Sequence, residues 1–192
     1  MAKRIWFPLA LTLVLAACAG SDIPKASKSE KAHEISQIKT QLAIEYMGAQ
    51  DFRQATASIE EALQSDSKNE MAWSIRAQIY EYLKVPEKAQ ESFLKALAIN
   101  PNSAETNNNY GWFLCQTGKE RESIPFFDKA MKNPLYQTPG LAYLNAGTCY
   151  IKLGELETAE EHIRKSMRLM PENSQALFQL AHTVAQGRLG DA

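Results

Sequence analysis

The stretch WSIRAQIYEYLKVPEKAQESFLKALAINP, residues 73–101, decides the fold of this 192-residue chain. Small residues occupy fixed places in it, at Ala77, Ala89 and Ala96, with the large apolar Phe93 among them. Small residues equivalent to Ala77 recur at intervals of 34, 34, 36 and 34 residues, as Ala43, Ala77, Gly111, Gly147 and Ala181. A repeat of this period indicates stacked supersecondary units that bury their apolar faces against their neighbours.

Three further positions repeat in register with these small residues. Twelve positions after each of the first four comes another small residue: Ala55, Ala89, Ser123 and Ala159. Four positions further on is a large apolar residue: Ile59, Phe93, Phe127 and Ile163. Three positions after that is a third small residue: Ala62, Ala96, Ala130 and Ser166. With Trp73 and Pro101, this pattern resembles the tetratricopeptide repeat, in which each unit is a helix A followed by a helix B. The resemblance implies an all-α, right-handed superhelix of antiparallel helix pairs. Its repeats fall at about 36–69, 70–103, 104–139 and 140–173, with a partial fifth at 174–192.

Glycines and an insertion refine this picture of the repeats. Gly118 and Gly154 are expected at the turns between helices A and B, where a positive φ favours glycine. The third repeat is two residues longer than the others, and we expect Leu135 and Tyr136 to pack its loop. At the C-terminus two alternatives stay open. Residues 174–186 form a lone capping helix, or the sequence stops inside a fifth repeat; Leu189 to Ala192 resemble the opening of a further helix B and favour the second.

Composition excludes several classes of protein. Mean hydropathy is −0.35, which excludes a polytopic membrane protein, and 21 basic residues against 22 acidic ones argue against a nucleic-acid-binding protein. Three cysteines and three histidines are scattered, and no nucleophile–base set, phosphate-binding glycine loop or metal-ligand spacing is present. We therefore expect no enzyme activity, no metal, no cofactor and no small-molecule substrate.

The N-terminus has the pattern of a secretory signal. Lys3 and Arg4 precede the apolar run 5–17, which is too short to span a bilayer. The run ends in Leu-Ala-Ala-Cys, residues 15–18, which resembles the bacterial lipobox. The resemblance implies cleavage of a signal peptide, residues 1–17, and attachment of lipid to Cys18. Because Ala19, not Asp, follows Cys18, it also implies the outer membrane; the alternative is an ordinary signal peptide with an incidental cysteine.

Residues 18–33 carry the lipidated cysteine and, by composition, a flexible tether. The folded domain then spans 34–192.

The resemblance to tetratricopeptide repeats also implies a concave groove lined by the A helices, chiefly at their second, fifth, ninth and twelfth positions. Those positions, with the neighbouring sixth positions, place a predicted partner-binding groove at Asn108, Asn109, Trp112, Leu144, Asn145, Thr148 and Phe178. Its apolar part suits an amphipathic helix or an extended apolar segment of a partner protein. The alternative for Trp112 and Leu144 is that both are core residues shielded by the neighbouring helix.

Asn109 and Asn145 both occupy the sixth position of their A helices, where asparagine is locally unfavourable. Two such residues in register predict amides that bond either across helices or to the main chain of a partner, and both alternatives stay open.

Cys115 and Cys149 lie on the A helices of adjacent repeats, at neighbouring heights. Neighbouring helices are about 8–10 Å apart, and the compartment beyond a secretory signal is oxidising. We therefore predict a disulfide between them, and the alternative is two buried thiols.

Three segments resemble the type IV pilus biogenesis/stability lipoproteins, the PilF/PilW family: NNNYGWFLC at 107–115, the N-P-L-Y-x-T-P loop at 133–139 and LNAGTCY at 144–150. The resemblance implies an outer-membrane lipoprotein that faces the periplasm and has no catalytic role. Such a protein supports assembly or placement of the secretin pore, or stabilises the pilus fibre, and the sequence does not choose between the two. A generic periplasmic scaffold for cell-envelope complexes is the alternative.

Overall fold

A computed structural model describes residues 27–190 of the chain, apart from the side chains of residues 184, 186 and 188–190. Within this range the secondary structure is entirely helical. The helices are α1 Lys28–Gly48, α2 Phe52–Ser65, α3 Glu70–Tyr82, α4 Pro86–Ile99, α5 Ala104–Gln116, α6 Glu120–Lys132, α7 Pro139–Lys152, α8 Leu156–Leu169 and α9 Ser174–Gly190. Among them, none has the combination of length and apolar composition that a membrane span requires.

The helices form the predicted A/B pairs. α1, α3, α5 and α7 each pack against the following B helix, and α9 packs on α8. Each turn between a helix A and its helix B contains one residue with positive φ. In the first to fourth repeats these are Gln50, Lys84, Gly118 and Gly154. Glycine takes this conformation without strain in the last two repeats, as predicted, whereas the first two repeats place a larger residue there.

The core lies between A and B helices, where a small residue faces a large one. Gly111 allows the Phe127 ring to approach so closely that a Cβ would lie 2.9 Å from it. A Cβ at Gly147 would lie 2.7 Å from Ile163 Cγ1 and 3.3 Å from the carbonyl oxygen of Ala159. In the first two repeats alanine serves the same purpose, at Ala43 and Ala77. The small residues therefore set how closely the two helices pack.

The first helix starts earlier than expected. Residues 28–33, which were predicted to belong to the tether, form the first turns of α1. The Ser27 hydroxyl accepts a hydrogen bond from the Glu30 N–H at 3.1 Å, and the Glu30 carboxylate accepts one from the Ser27 N–H at 2.6 Å. This capping box stabilises a helical start whose side chains are exposed and polar. His33 Nδ1 then lies 2.6 Å from Asp66 Oδ2, which fastens the start of α1 to the end of α2. The rest of the predicted tether, Cys18 and the signal peptide lie outside the described residues.

Two expectations about the loop and the C-terminal helix are corrected. Tyr136 is buried beside Ala104 and Ala142, but Leu135 is 79% exposed. α9 runs unbroken from Ser174 to Gly190, so the prediction that a separate helix opens at Leu189 is wrong, and the last two residues of that predicted opening, 191–192, lie outside the described residues. A turn would need a break in the helical backbone, and Gly187, the nearest preceding glycine, does not have a positive φ.

Substitution of Gly147 by alanine tests the close packing of α7 on α8. We expect Gly147→Ala to lower the free energy of unfolding by about 1–3 kcal/mol, because the added methyl group overlaps Ile163. Urea unfolding followed by circular dichroism measures the change. Gly48→Ala is the matched control, since a Cβ there meets no atom within 4 Å. Unchanged stability of Gly147→Ala would contradict this account of the core.

Candidate functional site

A cleft of about 740 Å³ opens between the C-terminal halves of α3 and α5. It combines aromatic, amide and charged side chains from two A helices with residues of the turn that follows α3. The lining residues are Gln78, Glu81, Tyr82, Lys84, Pro86, Asn109, Trp112, Phe113, Gln116 and Thr117. Among described residues, the cleft brings together only two of the predicted groove residues, Asn109 and Trp112.

Trp112 lies in the wall of the cleft and is half-buried. Behind the cleft it packs against the cluster formed by Cys115, Phe127, Ala146 and Cys149. The two interpretations of Trp112, groove residue and core residue, therefore each describe one part of the side chain. An aromatic residue held in this way offers a rigid apolar surface at low entropic cost.

Glu81 is the acidic residue of the cleft, at the twelfth position of its A helix. Within residues 27–190, the structure shows no hydrogen bond or ion pair to its carboxylate, and the side chain is half-buried. Burial raises the pKa of Glu81 from 4.5 to about 7, and the nearby positive charge of Lys84 only partly opposes this effect. Twelfth positions of the A helices were expected to line the groove, but the sequence held no signal that the carboxylate at this one would lack a partner among the described residues.

The asparagines form a chain of amides across α5 and α7. Asn145 Nδ2 donates to Asn108 Oδ1 at 3.0 Å, and Asn108 Nδ2 donates to Asn109 Oδ1 at 3.3 Å. Bonding across helices is therefore present, but through Asn108 and not directly between Asn109 and Asn145. Asn108 is buried between the helices, so its assignment to the groove surface is wrong.

The other predicted groove residues do not reach the cleft. Leu144 is 2% exposed and packs against Ile163 and Ala176, so its assignment to the groove is wrong because α9 covers it. Thr148 is half-buried, and its hydroxyl donates to the Leu144 carbonyl oxygen at 2.9 Å. Phe178 is 69% exposed on α9 and is not part of the cleft wall.

A disulfide joins Cys115 of α5 to Cys149 of α7, with the two Cα atoms 6.0 Å apart. Both side chains are fully buried. Lys152 Nζ adds a second connection between the helices, since it donates to the Cys115 carbonyl oxygen at 3.1 Å and to Gln116 Oε1 at 3.2 Å. On the chain-entropy model, a disulfide that closes a loop of this length stabilises the fold by about 3–4 kcal/mol. Trp112 packs against the cluster that contains both cysteines, so the disulfide supports the wall of the cleft.

The part of the chain that the structure describes contains no cluster of three or more His, Cys, Asp or Glu side chains able to hold a metal ion. What the cleft offers is a set of contacts: aromatic surface, amide groups and one carboxylate.

The sequence matches the family model described as "Tetratricopeptide repeat" over residues 28–188. Together with the paired helices and the small-to-large packing, this match shows that the chain belongs to the tetratricopeptide-repeat family.

Similar proteins define the group within this family. The crystal structure of PilW, described as a "widely conserved type IV pilus biogenesis factor", shares 55% identity with a TM-score of 0.78, over 83% of this chain and 73% of that one. The structure of PilF of Pseudomonas aeruginosa shares 25% identity with a TM-score of 0.79, over 82% and 71% of the two chains. The curated Type IV pilus assembly protein PilF of P. aeruginosa strain PAO1 is 25% identical over 189 residues, 98% of this chain and 75% of that protein. The chain is a tetratricopeptide-repeat protein of the PilF/PilW group of type IV pilus biogenesis proteins.

The raised pKa of Glu81 predicts a pH dependence of stability. The folded state binds the Glu81 proton more tightly than the unfolded chain, so stability falls as pH rises from about 4.5 to about 7. At 1.4 kcal/mol per pKa unit, the rise from 4.5 to about 7 corresponds to a loss of about 3–4 kcal/mol. We expect Glu81→Gln to lack this contribution and to be more stable than the wild type at pH 8, by urea unfolding across this range.

Glu45→Gln is the control for this experiment, because Glu45 is an exposed carboxylate on another A helix. It should keep the wild-type pH dependence. Identical pH profiles for Glu81→Gln and the wild type would show that Glu81 is solvated and would remove it from the cleft wall.

Proposed function

We propose that this protein is an outer-membrane lipoprotein that faces the periplasm and acts as an adaptor in type IV pilus biogenesis. In this proposal the cleft between α3 and α5 holds a segment of a pilus-machinery protein, and the partner is the secretin. The observation that carries the proposal is the cleft itself: two A helices present Trp112, Asn109 and Glu81 to one open, concave space. Aromatic anchors beside unpaired polar groups are typical of protein-binding sites.

Similarity to PilW and PilF supports the link to the pilus, since their descriptions refer to type IV pilus biogenesis and assembly. Support for the membrane anchor comes from the sequence, where Leu15-Ala16-Ala17-Cys18 follows a short apolar run. Several acyl chains on one cysteine make a stable anchor, whereas a single chain is marginal. The adaptor would then be held at the periplasmic face of the membrane that the secretin crosses.

Substitution of Trp112 tests the role of the cleft. We expect a deletion strain that produces Trp112→Leu to accumulate secretin monomers, or multimers in the wrong membrane, because the partner segment loses its aromatic contact. Semi-denaturing gels of separated inner and outer membranes measure the multimers, and electron microscopy counts the pili. Leucine keeps an apolar side chain against the Cys115–Cys149 cluster, which limits the loss of stability.

Trp73→Leu is the matched control for Trp112→Leu. Trp73 is also partly buried on an A helix, but it packs against the cluster of the first repeat and does not line the cleft. It should support normal multimers and pili. Normal multimers without pili in Trp112→Leu would indicate stabilisation of the fibre instead, and normal multimers with normal pili would indicate a generic envelope scaffold.

Substitution of the lipobox cysteine tests the anchor separately. We expect Cys18→Ala to move the protein from the outer-membrane fraction to the soluble periplasmic or inner-membrane fraction, because no lipid can be attached. Fractionation with immunoblotting measures the location, and the purified variant should unfold at the wild-type temperature. Cys18→Ala that stays in the outer membrane would contradict lipid anchoring.

A further inference from the structure

Among the described residues, Glu81 is the carboxyl group whose pKa is shifted upward, whereas the other shifted carboxyl groups have lowered pKa values. Other carboxylates have their pKa lowered by partners: Glu91 by Lys95, Glu161 by Lys165 and Asp66 by His33. Glu81 has its pKa raised, since burial outweighs the attraction of Lys84. Its carboxylate lies in a cleft, and no group among the described residues is bonded to it.

A cation is the occupant that this environment favours. A charged ligand nitrogen would pair with the carboxylate and restore the interactions that Glu81 loses on burial. Three aromatic side chains line the same cleft, the exposed Tyr82, the half-buried Trp112 and the buried Phe113, and aromatic faces attract ammonium and guanidinium groups. Lys84 also lines the cleft, but it is exposed and therefore well solvated, so it provides a weaker site for an anion.

The amides of the cleft favour a peptide over a small cation. Asn109 and Gln78 both line the cleft, and each side chain can donate to and accept from a main-chain amide. Asn109 Oδ1 already accepts from Asn108, whereas the described residues provide no acceptor for Asn109 Nδ2. A space of about 740 Å³ is within the range of ligand-binding clefts and is open enough to admit a chain that passes through.

We propose that the cleft binds an extended segment of a partner protein through one lysine or arginine side chain, which pairs with Glu81 and lies against Trp112 and Tyr82. The amides of Asn109 and Gln78 hydrogen-bond to the main chain of that segment. This inference rests on the proposed adaptor function and specifies which residue type the partner presents. Glu81 is then the residue that determines specificity, and Trp112 provides apolar contact area.

Peptide selection on the purified full-length protein tests this inference. Phage-displayed random dodecapeptides are selected against the wild type, and recovered peptides are synthesised for measurement of Kd by fluorescence anisotropy. We expect one basic position to be enriched. Replacing that basic residue by norleucine, or Glu81 by Gln, should each weaken binding by roughly tenfold or more. The two changes together should weaken binding no further than either alone, because they remove the same contact.

Controls separate failure of this inference from failure of the adaptor proposal. Glu45→Gln should leave Kd unchanged, and Glu81→Gln should keep its fold by circular dichroism, because glutamine has the same shape. Peptides that need Trp112 but bind Glu81→Gln as tightly as the wild type would overturn the cationic anchor and leave the adaptor cleft standing. Enrichment of acidic residues whose binding depends on Lys84 would also overturn the anchor. Failure to recover any peptide whose binding is lost in Trp112→Leu would overturn both proposals.

Discussion

Close contact between one small residue on helix A and one large residue on helix B is the constraint on which the rest of this structure depends. At Gly147 and Gly111 the approach leaves no space for a Cβ, and Ile163 and Phe127 fill the gap from the other helix. Because the contact recurs once in every complete repeat, each pair has nearly the same geometry, and the A helices stack with their inner faces aligned. A cleft between A helices exists only because this spacing is maintained.

The position of the cleft follows from where the A helices are joined to each other. α5 and α7 are connected along their length by the asparagine bond, by Lys152 and by the disulfide. α3 and α5, in contrast, share one side-chain hydrogen bond among the described residues, between Thr106 and Glu70 at the start of both helices. Their C-terminal halves have no such bond, and the cleft opens there. One rigid wall, supported by the disulfide, thus faces one less constrained wall.

Periodicity predicted the fold well, because the spacing of small and large residues reports the contact that defines each helix pair. The site was predicted less well, for a physical reason. Fifth positions of the A helices, Thr40, Ser74, Asn108 and Leu144, are all buried by the next repeat, whereas the ninth positions, such as Gln78 and Trp112, stay half-exposed. Residue type did not reveal this difference. The start of α1 was missed because a capping box, not apolar burial, stabilises it.

The carboxylate of Glu81 lowers the free energy of unfolding near neutral pH, and the fold alone does not explain why an acidic residue occupies this position. A glutamine would fill the same space without a charge, and the folded state would not lose stability as the carboxylate ionises near neutral pH. The neighbouring repeats show that this position does not require an acid, since Met47 and Cys115 occupy the equivalent places. Strain and unpaired charge concentrate where proteins bind ligands, because the ligand supplies the missing interaction. The energetic cost of Glu81, the aromatic wall beside it and the single side-chain hydrogen bond between α3 and α5 among the described residues all support the proposal that this cleft is the binding site.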